Sequence, residues 1–128
     1  HEDLTVVWLW SQREGVFSHQ TALALHNLSD VLPARVYLTL PDAQRNRRLR
    51  VPGGVVVHYG DVALSERRWF GPVPATAPLR TLEDCAAEHL PPQLLRGATL
   101  DALHQGLVAR EELAAVEAAL EPFGGLEP

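Results

Sequence analysis

Proline and glycine punctuate this chain at short intervals, and that punctuation limits its folding options more than any other feature. Gly15, Pro41, Pro52-Gly53-Gly54, Gly71-Pro72, Pro91-Pro92, Gly106 and Pro122 each stand at or shortly beyond the end of an element that the apolar spacing suggests, or in the turn before one. Proline lacks a backbone N–H and glycine enters turn conformations cheaply, so neither continues a helix or a central strand well. The chain must therefore be assembled from many short elements. Their mixed periodicities predict an α/β (α+β) fold: a small mixed sheet of about four short strands packed with about five helices, with a helical C-terminal part.

Glu2 and Asp3 precede Leu4-Thr5-Val6-Val7-Trp8-Leu9-Trp10, a run apolar on nearly every side. Acids suit the positive end of a helix dipole, so residues 2–13 are predicted to be a largely buried helix closed by Gly15. Ser18 is a good N-cap for a second short helix carrying Ala22, Leu23, Leu25 and Leu28. Residues 35–40 and 55–59 read as strands, with Val51-Pro52-Gly53-Gly54 turning the chain between them. Residues 67–70 and 73–76 flank Gly71-Pro72 and predict a hairpin. Three helices follow: one from Thr76-Ala77-Pro78 to near Leu90, one from Pro91-Pro92 to Gly106, and one over Arg110 to Leu120 with Leu113, Val116 and Leu120 on one face.

The 128 residues suit one domain spanning 1–128, and 46% hydrophobic with 21% charged residues is an ordinary globular balance. No apolar run approaches the roughly 20 residues that span a bilayer, so no membrane partner is expected. With one cysteine, Cys85, and no visible secretory signal, a cytoplasmic location is the expectation. The chain starts at His1 and contains no methionine, from which we expect a truncated chain that has lost an upstream segment. Lysine is also absent, which excludes lysine-dependent chemistry.

The six histidines, at 1, 19, 26, 58, 89 and 104, lack the short-spaced pairs of a sequence-level zinc signal. They predict no metal and no cofactor, although a strand histidine such as His58 can sit in a pocket. Cys85 and His89, four residues apart on a helix, read as core packing rather than a nucleophile and its base. With no nucleophile elbow, phosphate loop or His-Glu-x-x-His present, no catalytic residues are predicted, and the chain is expected not to be an enzyme.

Charge is uneven along the chain: residues 1–82 hold nine arginines against seven acids, residues 83–128 two against nine. The densest positive segment is Arg45-Asn46-Arg47-Arg48-Leu49-Arg50. Guanidinium groups bond phosphates and carboxylates bidentately, so Arg45, Arg47, Arg48 and Arg50 are candidate partner-binding residues; the plainer alternative is a solvated hairpin loop. The glycine turn Gly106-Leu107-Val108-Ala109 suggests a helix-turn-helix, but Glu111, Glu112 and Glu117 on the would-be reading helix would repel phosphates.

Several segments are together similar to the AbiEi family of type IV toxin-antitoxin regulators. They are the opening His-Glu-Asp-Leu, Gly15-Val16-Phe17-Ser18-His19-Gln20-Thr21-Ala22-Leu23-Ala24-Leu25-His26, Leu28-Ser29-Asp30 and Val36-Tyr37-Leu38-Thr39-Leu40-Pro41. The arginine loop, Gly71-Pro72-Val73-Pro74-Ala75-Thr76 and Arg80-Thr81-Leu82-Glu83-Asp84 continue the likeness. The resemblance is to the C-terminal antitoxin domain. It implies an upstream winged helix-turn-helix that binds promoter DNA, and a domain here that counters a nucleotidyltransferase toxin. The partners it implies are thus a cognate nucleotidyltransferase-type toxin and promoter DNA only through the missing N-terminal domain; a homo-oligomer is left open by the sequence. The alternative reading is a ligand-sensing or dimerisation domain of a transcription factor.

Overall fold

The computed structural model describes residues 2–30 and 32–127; His1, Val31 and Pro128 lie outside them. The elements run α1 (Glu2–Trp10), β1 (Val16–Phe17), α2 (His19–Leu25), β2 (Val36–Leu40), β3 (Val55–Tyr59), β4 (Arg67–Phe70), β5 (Val73–Thr76), α3 (Pro78–Ala87), α4 (Pro92–His104) and α5 (Ala114–Leu120). The strands form one mixed sheet in the order β3-β2-β1-β5-β4. This is an α+β fold.

β1 is a strand of two residues at the centre of the sheet, pairing antiparallel with β2 and parallel with β5. Sequence reading placed only a helix end and an N-cap there. Phe17 lies opposite both Leu38 and Ala75, so these three side chains share one face, and all are fully buried. On that face the core continues into Leu4, Val7, Trp8 and Trp10 of α1. By the two-residue alternation of strands, Val16, Thr39 and His58 occupy the other face, in register with one another.

Strands β2 and β3 are parallel, which corrects the hairpin alternative for the arginine loop. Parallel neighbours require a crossover of about a dozen residues, and residues 41–54 are that crossover. It contains a short 3₁₀ turn, Asp42–Gln44, where a helix commonly stands. The hairpin predicted at Gly71-Pro72 is present, with β4 antiparallel to β5.

Helix α1 is shorter and less buried than expected. Val6 is 67% and Leu9 50% exposed, because only one side of the helix meets the sheet. Trp8 is half-buried and packs edge-on against Trp69 of β4 with ring centroids 5.8 Å apart. The C-terminal helices enclose a second apolar cluster built on Leu82, Leu95, Leu113, Val116 and Leu120. Residues 110–112 form a 3₁₀ turn rather than the first turn of the last helix, which starts at Ala114. Arg110 bonds Glu117 and Glu127, so it is neutralised within the chain and not held out for a DNA backbone. No helix among the described residues is long and apolar enough to cross a membrane.

Candidate functional site

The four loop arginines are all exposed, but they are not equivalent. Arg45 donates from Nε and Nη2 to Asp42 Oδ1 at 3.0 and 2.8 Å, and its guanidinium stands 5.4 Å from the Tyr59 ring centre. Arg47 donates to Gln44 Oε1 at 2.8 Å, and Gln44 in turn is held by Glu14. Arg48 and Arg50 have no hydrogen-bond or ion-pair partner among the described residues. The structure thus divides the basic segment into two anchored arginines and two that project into water. Beside it, Trp10, Glu14, Leu40, Gln44, Arg47 and Leu49 line a cleft of about 300 Å³ between the end of α1 and the crossover.

Cys85 is buried in the helical core, and no hydrogen bond links it to His89 among the described residues. Burial, with a smaller contribution from Asp84, pushes its thiol up to about 12, so the nucleophilic thiolate is suppressed at neutral pH.

A second constellation joins residues that sequence spacing left apart. His19 opens α2 with φ of 54°, a left-handed conformation that histidine tolerates better than most side chains. Its Nδ1 lies 2.7 Å from Ser18 Oγ, which also accepts the Thr39 hydroxyl at 2.7 Å. Ser18 occupies the N-cap position as expected, yet its side chain serves these contacts and does not cap the helix. The His19 ring stacks on His58 of β3 with centroids 4.0 Å apart, and Tyr37 lies 6.3 Å from His58. His58 Nδ1 is 3.2 Å from Glu88 Oε1 at the C-terminal cap of α3. These groups, with His89, line a cleft of about 360 Å³. His19 and His58, which lack a short-spaced pairing in the sequence, are neighbours in the fold. Their separation in sequence offered no local signal; only the strand register and the start of α2 bring them together.

Burial, then the neighbouring His58 and Arg80 charges, lowers the His19 pKa to about 4. Burial likewise lowers that of His26, outweighing its contact with the Thr76 carbonyl, with Arg68 adding to the decrease. Both rings prefer to be neutral in the folded state, so folding stability is complete above the unfolded value of about 6.5 and falls as pH drops below it. His19 alone should remove about 2 kcal/mol between pH 7 and pH 5. Urea unfolding across that range tests this: the slope should flatten in His19→Asn, which keeps the left-handed backbone. An unchanged slope would assign the acid sensitivity elsewhere.

No known protein-family model matches the chain, and no curated protein matches it. The likeness to the AbiEi antitoxins therefore rests on the quoted motifs.

Proposed function

We propose that this chain is the partner-binding domain of an antitoxin-like transcriptional regulator, acting by contact rather than catalysis against a nucleotidyltransferase-type toxin. The supporting observation is the pair Arg48 and Arg50, two exposed guanidinium groups without a partner among the described residues, on a crossover at the sheet edge. Unpaired arginines cost the fold little and offer bidentate donors to carboxylates or phosphates of another molecule. An acidic patch on the toxin is the natural counterpart. Promoter DNA would be read by the upstream winged helix-turn-helix that the resemblance implies, because this chain carries a net charge of -5.

The double variant Arg48→Ala/Arg50→Ala should unfold within about 0.5 kcal/mol of the parent. Arg45→Ala, which loses the Asp42 pair, should cost up to about 1 kcal/mol. Calorimetric binding to a cognate nucleotidyltransferase should weaken in the double variant, most at low salt where charges are least screened. Binding that survives at every salt concentration would remove the loop from the interface. A collapse of stability would make these arginines structural.

A further inference from the structure

His19, His58 and Glu88 come from the start of α2, the edge strand β3 and the end of α3. One nitrogen or oxygen from each lies within 4.8 Å of the other two, and no other group of histidine, cysteine or acidic side chains among the described residues gathers in this way. Two imidazoles and a carboxylate are a donor set suited to a borderline-soft divalent ion. A tetrahedral zinc ion with bonds of about 2.0–2.2 Å holds its donors about 3.3–3.6 Å apart. His58 Nδ1 and Glu88 Oε1, ion-paired at 3.2 Å, come within reach of one ion once the His58 ring turns off the His19 stack. We propose that His19, His58 and Glu88 form a binding site for a divalent transition-metal ion of the zinc type.

The groups around the triad favour this use. If His19 donates its Nδ1 proton to Ser18 Oγ, its Nε2 lone pair is free to ligate; Thr39 in turn fixes Ser18. Such outer hydrogen bonds orient the imidazoles of metal sites. The Glu88 side chain is 56% exposed and so free to close on an ion, while His58 needs to turn out of its stack on the His19 ring. Three protein ligands leave a fourth tetrahedral position for water, and the cleft these residues line with Tyr37 and His89 gives water access to the site. Magnesium and calcium prefer all-oxygen shells and fit poorly.

An ion held here would tie the edge strand β3, paired among the described residues with β2, to two helices. Because the unfolded chain does not present the three ligands together, binding would raise the melting temperature with metal concentration.

The test is titration of the EDTA-stripped chain with zinc chloride against a chromophoric chelator, paired with thermal melts. One equivalent should bind with micromolar affinity or better and raise the melting temperature, whereas magnesium chloride should not. Glu88→Gln and His58→Gln should each weaken zinc by at least the roughly tenfold that loss of a mere outer hydrogen-bond partner costs a metal site, while His104→Gln, on α4, should leave it unchanged. Melting of the metal-free variants checks that they fold, and if His58→Gln does not, Glu88→Gln decides alone. No stoichiometric uptake, or equal affinity in parent and Glu88→Gln, overturns the site.

Discussion

Phe17→Ala will cost about 3–5 kcal/mol of folding stability, the range for removing a large aromatic side chain from a packed core. Phe17 is fully buried and sits on the central strand, facing Leu38 on one neighbour and Ala75 on the other. A cavity there touches β2, β5 and the inner side of α1 at once, so little of it can be filled by relaxation. Small domains are stable by only about 5–15 kcal/mol in total, and the variant will therefore lie close to the unfolding threshold. Guanidinium titration monitored by tryptophan fluorescence and by circular dichroism measures the change. A loss below about 1 kcal/mol would mean that β1 is not the centre of the sheet.

Gly15→Ala will destabilise the chain by about 2–3 kcal/mol, even though Gly15 does not have a positive φ and alanine at such a position usually stabilises. A β-carbon at Gly15 would stand 2.7–2.8 Å from Cδ1, Cδ2 and Cγ of Leu38. Leu38 has no exposed surface and is held opposite Phe17, so its side chain has nowhere to withdraw. The backbone at Gly15 is also fixed by the bond from its N–H to Ser11 Oγ at 3.1 Å. This argument assigns the cost to one contact, and a double-mutant cycle isolates it. Combined with Leu38→Val, Gly15→Ala should cost clearly less than it does alone. Strictly additive losses would show that the glycine is required for some reason other than close approach.

Both predictions concern a segment that sequence periodicity passed over. The glycine at 15 was legible as a helix stop and Ser18 as a helix start, but two residues between them cannot display an alternating pattern. Val16 and Phe17 are a strand because β2 and β5 supply hydrogen-bond partners on either side, and that is a tertiary fact. The same reason separates α1 from its expected burial. Its all-round apolar composition was visible, yet how much of it is covered depends on how many surfaces reach it, and the sheet covers one side.

What the sequence alone determined is local: the short helices, four of the five strands, the hairpin at Gly71-Pro72, and the charge of residues 45–50. Proline, glycine and apolar spacing act over a few residues, so they register in a linear reading. Tertiary structure decided the parallel pairing of β2 with β3, which turns the arginine segment from a hairpin loop into a crossover. It also decided which arginines are anchored and which are free, because Asp42 lies near in sequence but Tyr59 is delivered by strand register. The His19, His58 and Glu88 cluster depends on three elements meeting across the sheet face. No spacing rule encodes it, since the chain between these residues folds into other parts of the molecule before returning.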